Sequence, residues 1–131
     1  MFFTLTFGGG ILTLSSARSI RAGRMNLSFV DDELRALCNT RALLRARFGE
    51  AGPVVERRLM MLSAARVLGD VPIRAPDRRR REPRFGPAAA SVCARAAGRI
   101  YFNALGIDGD DQDKWDDVEE IEIFAIGGAS E

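Results

Sequence analysis

The spacing of apolar residues predicts a strand and then a helix near the start of the chain. Residues 26–30 alternate between apolar and polar side chains, which is the period of a half-buried strand. Asp31 or Asp32 then offers a cap for a helix whose apolar residues recur from Leu34 to Phe48. Asn39-Thr40 is a point at which this helix could bend or split.

A second helix is predicted from Pro53, because proline suits the first turn of a helix. Its apolar stripe consists of Val55, Leu59, Leu62 and Ala65. Gly69 marks its end, and the short Gly-Pro connection to the first helix is typical of an antiparallel helical hairpin.

Three further strands are predicted after the helices, at residues 89–96, 99–103 and 118–126. The first alternates only weakly, because its alanines have a low strand propensity. The order β-α-α-β-β-β groups the helices together and the strands together, which is typical of an α+β fold. We therefore expect one domain over residues 25–131, with a helical hairpin covering one face of a small, mostly antiparallel sheet.

Alternation along the strands assigns side chains to the two faces of that sheet. In the strand 99–103, Ile100 and Phe102 point towards the helices. We expect the opposite face to be open and to carry Arg95, Arg99 and Tyr101. In the last strand, three residues are predicted to share one face: Ile121, Ile123 and Ala125.

Residues 1–24 differ in character from the rest of the chain. Their apolar part, Phe2 to Leu14, contains three glycines and is too short to span a bilayer. The arginines come after the apolar part, whereas a signal peptide carries its positive charge in front. We expect residues 1–24 to be a poorly ordered extension outside the fold, with a targeting or membrane-surface segment as the alternative.

The sequence contains no pattern of a metal or cofactor site, and we expect neither. There is no His, and the two cysteines, Cys38 and Cys93, lie far apart, which excludes the common zinc ligand sets. Asp108, Asp110 and Gln112 superficially resemble a calcium loop, but its later glycine and terminal glutamate are missing. We expect buried, reduced cysteines and a cytoplasmic protein without a membrane partner.

Charge is distributed unevenly, although the formal net charge is only +1. Residues 25–107 carry 15 Arg against 8 acidic residues, whereas residues 108–131 carry 10 acidic residues against one Lys. A guanidinium group can bind two oxygens of one phosphate at the same time. The uneven charge therefore predicts a surface that faces a polyanion. The alternative for the arginine run is an ordinary solvated loop. The candidates for RNA contact are Arg78, Arg79, Arg80, Arg81, Arg84 and Arg95.

Five short pieces of the sequence together suggest a family. They are Ser28-Phe29-x-Asp31-x-x-Leu34-x-x-Leu37-x-Asn39-Thr40, Arg57-Arg58-Leu59-x-x-Leu62-x-Ala64-Ala65-x-x-Leu68, Pro76 with the arginines after it, Arg99-Ile100-x-Phe102 and Asp116-x-Val118-x-x-Ile121-x-Ile123-x-x-Ile126. By their order and spacing the chain resembles the RelE/ParE superfamily of bacterial toxins, most closely its HigB-like (proteic killer) branch. The resemblance implies a RelE-like α+β fold from Met25 onward.

The resemblance also implies the toxin of a type II toxin–antitoxin pair, of the kind that serves plasmid maintenance. Its expected partners are a helix-turn-helix antitoxin and mRNA on the ribosome, because HigB and RelE toxins are mRNA endoribonucleases; ParE relatives act on DNA gyrase instead. This branch usually carries a His in its basic loop, and this chain has none. A degenerate toxin fold that binds antitoxin or RNA without cutting is therefore an alternative, as is an unrelated basic nucleic-acid-binding protein.

Metal-independent RNA cleavage needs a proton acceptor, a proton donor and positive charge at the phosphate that the ribose 2′-hydroxyl attacks. The resemblance implies that Arg99 supplies the charge. Because the pKa of arginine lies above about 12, proton transfer falls to Glu82, Asp77 or Tyr101. Neighbouring arginines are expected to lower the pKa of Glu82 and to weaken it as a base. The predicted catalytic residues are Arg99, Tyr101 and Glu82.

Overall fold

The computed structural model describes residues 24–106 and 112–128, and it confirms an α+β fold. The helices are α1 (Asp32–Asn39), α2 (Arg41–Phe48) and α3 (Gly52–Ala64). The strands are β1 (Asn26–Phe29), β2 (Arg80–Arg81), β3 (Ala89–Cys93), β4 (Arg99–Ala104) and β5 (Glu120–Gly127). Residues 1–23 of the predicted extension, and Asp108 and Asp110 of the calcium-like loop, lie outside the described residues.

The five strands form one sheet in the order β1-β5-β4-β3-β2. β1 lies parallel to β5, and every other neighbouring pair is antiparallel. β1 and β2 are therefore the edge strands, and the arginine-rich segment lies at the edge opposite β1. Within the described part of the chain, no helix has both the length and the apolar character needed to cross a bilayer.

The first predicted helix is divided in two at Thr40. Asp31 caps α1 by accepting a hydrogen bond from the Leu34 N–H at 2.7 Å. Thr40 has extended backbone, with φ −124° and ψ 109°, so the chain changes direction before α2. α2 then packs against α3 so closely that a Cβ atom at Gly52 would lie 3.0 Å from the Leu44 carbonyl oxygen. These two helices form the predicted hairpin.

The hydrophobic core lies between the helices and one face of the sheet. Its most deeply buried side chains come from both layers: Leu44, Val55, Leu62, Val92, Ile100, Phe102, Ile121 and Ile123. Burial of these side chains is the main stabilising contribution to the fold. The helices thus cover one face of the sheet, and the opposite face carries polar residues.

The prediction for the faces of the last strand is wrong at one position. It grouped Ile121, Ile123 and Ala125. The ladder between β4 and β5 contains a bulge where Tyr101 and Phe102 pair out of step, and Phe124 is the extra residue. One extra residue reverses the alternation, so Ala125 lies opposite Tyr101, and Ile126 packs against the core instead.

Two details of the central region differ from the predicted elements. The strand expected at residues 89–96 ends at Cys93, because residues 95–97 form a 3-10 turn in which Arg95 has φ +53°. The arginine-rich segment, predicted to be a loop, contains the short edge strand β2. Two consecutive arginines show no apolar alternation, so no periodic signal marks this strand in the sequence.

Candidate nucleic-acid interface

The sheet face away from the helices carries a compact cluster of polar and aromatic side chains. Arg80 on β2 pairs with Ser91 on β3, which pairs with Tyr101 on β4, so their side chains lie in one row. Glu82 follows Arg80 by two residues and lies on the same face. We call this region the arginine face and define it by Arg80, Glu82, Arg84, Phe85, Ser91, Arg99, Tyr101 and Phe124.

Arg99 lies beneath this face and not on its surface. It is 0% exposed and is the largest of the fully buried side chains. Its Nε donates to Ser91 Oγ at 2.6 Å, and its Nη2 donates to the main-chain oxygen of Arg78. The expectation that Arg99 lies on an open face is therefore wrong, because the loop that contains Arg78 covers it. The buried guanidinium cannot contact a phosphate in solvent in this arrangement.

Glu82 is the centre of the polar cluster. Its Oε2 accepts hydrogen bonds from Ser91 Oγ at 2.6 Å and from Arg80 Nε at 2.8 Å. Arg99 Nε lies 3.7 Å from Oε2, and Arg84 Nε lies 3.6 Å from Oε1. One buried carboxylate therefore joins three guanidinium groups and a hydroxyl, and its oxygens are occupied by these partners.

The environment changes the pKa of both buried charges. Burial alone would raise the pKa of Glu82, but the hydrogen bonds from Ser91 and Arg80, with the nearby positive charges, outweigh it and lower the pKa. Burial lowers the pKa of Arg99, and the charge of Arg80 lowers it further. Glu82 is therefore ionised and poorly basic at neutral pH, as the sequence predicted.

Because the pKa of Glu82 is lowered in the folded protein, the free energy of unfolding depends on pH in the acid range. A group whose pKa is depressed by folding stabilises the protein above its unfolded pKa, and that contribution is lost as pH falls through the folded value. We expect the Glu82 contribution to the free energy of unfolding to be complete above pH 4.5, its ordinary pKa, and to decrease from there until the pH has fallen through the lower folded-state pKa. Glu82→Gln should flatten this acid limb in urea titrations at a series of pH values. Glu120→Gln, at an exposed position on β5, should leave the limb unchanged; equal limbs in wild type and Glu82→Gln would contradict the assignment.

An aromatic group borders the polar cluster. The Phe85 ring lies edge-on to Tyr101, with centroids 5.2 Å apart, and edge-on to Phe124 at 5.7 Å. Phe85 is 48% exposed, and the Arg84 guanidinium lies 4.7 Å from its ring centroid. Arg84 Nη2 also donates to the Tyr101 hydroxyl at 3.3 Å. The face thus presents an exposed ring beside a guanidinium, a combination on which proteins stack unpaired bases.

Tyr101 itself is only slightly accessible. It is 6% exposed, since Phe85 and Phe124 pack against its ring. The expectation of an open position is therefore wrong for Tyr101 as well as for Arg99. The bulge places Phe124 next to Tyr101, and the 3-10 turn Pro83–Phe85 brings Phe85 over it.

The predicted RNA-contact arginines do not form one group. Arg80 and Arg84 lie on the arginine face. Arg79 donates from Nε to the Val71 carbonyl at 2.8 Å and lies close to Asp116. Arg81 lies on the helix side of the sheet, with its guanidinium 4.6 Å from the Trp115 ring centroid. The structure therefore gives Arg79 and Arg81 contacts within the fold.

The remaining two arginines are exposed at the end of the sheet where β3 turns into β4. Arg78 and Arg95 both have positive φ values, 48° and 53°. Arg95 belongs to the turn itself, and the main chain at Arg78 accepts the hydrogen bond from Arg99. They can extend a positive surface beyond the arginine face, but they do not share its buried cluster.

Asp77 is committed to a different buried contact. Its Oδ1 lies 3.4 Å from Arg58 Nε, and both side chains are buried. Arg58 Nε also donates to the Cys93 carbonyl at 3.0 Å. This pair joins α3 to the loop before β2, and it removes Asp77 from the set of accessible proton acceptors.

Sequence reasoning missed three members of the arginine face. Ser91 is a fully buried residue in an alanine-rich strand, and nothing in the sequence distinguishes it. Phe124 was assigned no role because the bulge cannot be read from the alternation. Phe85 has a usable signal, since it follows an arginine-rich run and single-strand-binding surfaces combine aromatic rings with positive charge.

A separate cleft lies away from the arginine face. It has a volume of about 540 Å³ and lies beside β1, at the opposite edge of the sheet from β2, between Leu27, Phe29, Leu59 and Met60. Cys38 lines it too, and burial raises the pKa of this thiol to about 12, so it stays protonated. Among the residues whose placement is described, no group of three or more His, Cys, Asp or Glu side chains could hold a metal ion.

Comparison with known protein families, curated proteins and solved structures gives no match to this chain. The resemblance to RelE-like toxins therefore stays a prediction. The chemistry of the arginine face is the remaining basis for a functional conclusion.

Proposed function

We propose that this protein binds single-stranded RNA through the arginine face. The observation that carries the proposal is the position of Arg84, whose side chain is 62% exposed. It lies against the exposed Phe85 ring and next to the half-exposed Arg80. Guanidinium groups contact phosphates and an exposed ring stacks on a base, and single-strand binding proteins combine these two contacts.

The same geometry supports binding more strongly than cleavage. Cleavage requires a group that accepts the proton of the ribose 2′-hydroxyl. Glu82 is buried and bonded to Ser91 and Arg80, and Asp77 is paired with Arg58. Both predicted carboxylates are thus engaged within the fold. We therefore propose that the protein binds RNA without cutting it, as in the non-cleaving form of the toxin-like fold.

From the resemblance to RelE-like toxins we further propose that the protein is a bacterial toxin-like domain. Its proposed partners are a helix-turn-helix antitoxin and mRNA on the ribosome. Expression without an antitoxin separates the forms of this proposal. Harmless expression supports the non-cleaving form. Growth arrest with fragmented mRNA supports an active toxin, and growth arrest with intact mRNA supports the gyrase-directed relative.

Arg84→Ala is expected to weaken RNA binding about tenfold, because it removes a phosphate contact and the cation beside Phe85. Fluorescence anisotropy with a labelled, unstructured RNA at several salt concentrations measures the affinity. The slope of log K against log salt should fall by about 0.7, the value for one single-strand phosphate contact. Phe85→Leu should weaken binding with little change in the slope, because it removes stacking and no charge.

The matched control is Arg47→Ala, which makes the same change of charge at an exposed position in the last turn of α2. We expect it to change the affinity less than about twofold, since exposed surface charges act weakly at a distance in salt. Equal losses in Arg84→Ala and Arg47→Ala would refute a defined binding face and would indicate a general attraction between opposite charges.

One observation favours a second candidate, a metal-independent endoribonuclease. The Tyr101 hydroxyl lies 3.3 Å from Arg84 Nη2, so a phenol that can transfer a proton lies beside a cation that can hold a phosphate. In this reaction the 2′-hydroxyl gives its proton to water as its oxygen bonds to phosphorus, and the bond from phosphorus to the 5′-oxygen breaks. The 5′-oxygen takes a proton from the Tyr101 hydroxyl, which water then reprotonates. Products with 2′,3′-cyclic phosphate and 5′-hydroxyl ends, lost in Tyr101→Phe, would establish it.

A further inference from the structure

We propose that Glu82 and Ser91 are positioning residues, which fix the orientation in which Arg80 and Arg84 contact phosphate. The inference rests on the proposed RNA binding and assigns a role to a carboxylate and a hydroxyl that do not touch the RNA themselves. Glu82 thus acts through two arginines and does not transfer a proton.

Three arginines meet Glu82 through the same atom. Each approaches the carboxylate with its Nε atom: Arg80 at 2.8 Å, Arg84 at 3.6 Å and Arg99 at 3.7 Å. Nε lies at the stem of the planar guanidinium group, so an arginine that meets Glu82 through this atom has its stem fixed at the carboxylate. The side chains of Arg80 and Arg84 stay 43% and 62% exposed in this arrangement.

Glu82 itself has a fixed position. Ser91 Oγ donates to Glu82 and accepts from Arg99 Nε, both at 2.6 Å. Ser91 and Arg99 are each 0% exposed and belong to the paired strands β3 and β4. The carboxylate is therefore anchored on the sheet, and a site anchored on strands holds its geometry better than one on loops. Without this anchor, long arginine side chains would lose more conformational entropy on binding RNA.

The negative charge of Glu82 distinguishes two possible roles for this residue. A carboxylate at the centre of an RNA-binding face opposes binding electrostatically, because it repels phosphate and cancels one positive charge. If Glu82 contributed only its charge, then Glu82→Gln would tighten RNA binding. If Glu82 positions the arginines, the same change weakens binding although it makes the protein more positive. The two roles therefore predict effects of opposite sign.

The experiment measures RNA affinity for the full chain and for three variants, by anisotropy with the same labelled single-stranded RNA over the same range of salt. We expect Glu82→Gln to weaken binding about five- to tenfold and to reduce the salt slope. Ser91→Ala, which changes no charge, should weaken binding about threefold or more. The control is Glu122→Gln on β5, which lies opposite Asn103 on the same sheet face and should leave binding equal or tighter.

A double-mutant cycle distinguishes positioning from a general structural effect. In an Arg80→Ala, Arg84→Ala background, Glu82→Gln should have no further effect on affinity, because the residues through which it acts are gone. Thermal unfolding verifies that each variant is folded, and Ser91→Ala carries the test if Glu82→Gln does not fold. Unchanged affinity in Ser91→Ala, or tighter binding by Glu82→Gln, would overturn the inference and leave RNA binding intact. A wild-type protein that does not bind the RNA would overturn both proposals.

Discussion

Arg99→Ala should destabilise the protein by about 3–5 kcal/mol, the cost of removing one partner from a buried charge pair. Arg99 is the largest fully buried side chain, and it donates to Ser91 Oγ and to the Arg78 carbonyl. Its loss leaves a cavity and removes a positive charge from beside Glu82. Urea unfolding of the two proteins at neutral pH measures the difference. The thermal midpoint should fall by at least about 10 °C for a domain of this size.

The stability of Arg99→Ala determines what a loss of RNA binding in this variant means. An unstable protein loses RNA binding whether or not Arg99 contacts RNA, so this variant by itself says nothing about chemistry. Arg99→Lys keeps the charge but loses the planar donor set, and we expect an intermediate loss of stability. Arg84→Ala, at an exposed position, should lose RNA binding with nearly unchanged stability. A stable Arg99→Ala protein that fails to bind RNA would instead show that Arg99 becomes exposed.

The fold was largely predictable because its main elements have clear apolar periods. Residues 26–30 and 99–103 alternate, and the stripe from Val55 to Leu62 repeats at helical spacing. These patterns correspond to β1, β4 and α3. The bulge at Phe124 and the strand β2 were not predictable, because each depends on pairing with another strand and leaves no period of its own.

The sequence predicts which residues form the candidate site, but it does not predict how deeply they are buried. The sequence indicates Glu82, Arg99 and Tyr101 as the candidate catalytic residues, and the structure brings all three to one face of the sheet. Strand alternation shows which face a side chain lies on, but it does not show what covers that face. Residues 72–79 and the turn Pro83–Phe85 provide the cover, and neither has a sequence pattern that predicts where it packs.

Because of this cover, the residues that stabilise the fold differ from the residues that a ligand can contact. The buried cluster of Glu82, Ser91 and Arg99 connects β3 and β4 to the residue that follows β2, and its charges are matched within the fold. The exposed members, above all Arg84 and Phe85, are the groups that a ligand can reach. An arginine-rich sequence therefore does not provide a uniform cationic surface. Some of its arginines stabilise the sheet from within, and the others are exposed on it.

Gly98→Ala is expected to destabilise the protein by about 3 kcal/mol or more, because two unfavourable effects combine at this position. Gly98 has φ +97°, a backbone conformation that L side chains rarely adopt. A Cβ atom there would also overlap the main-chain carbonyl of Gly127 at the end of β5. Because this overlap is with backbone, relief requires the first residues of β4 to move away from β5. Urea unfolding measures the loss.

Gly86→Ala is the matched control, since Gly86 has φ +131° but no atom within 4 Å of its would-be Cβ. It should cost only the backbone strain, about 1–2 kcal/mol. The difference between the two variants therefore isolates the close contact between Gly98 and Gly127. Arg99 pairs with Gly127 in the next position of the ladder, so this contact also sets where the buried guanidinium enters the sheet. Gly98→Ala should accordingly weaken RNA binding as well as stability, whereas equal losses in both variants would show that the strands can separate there without strain.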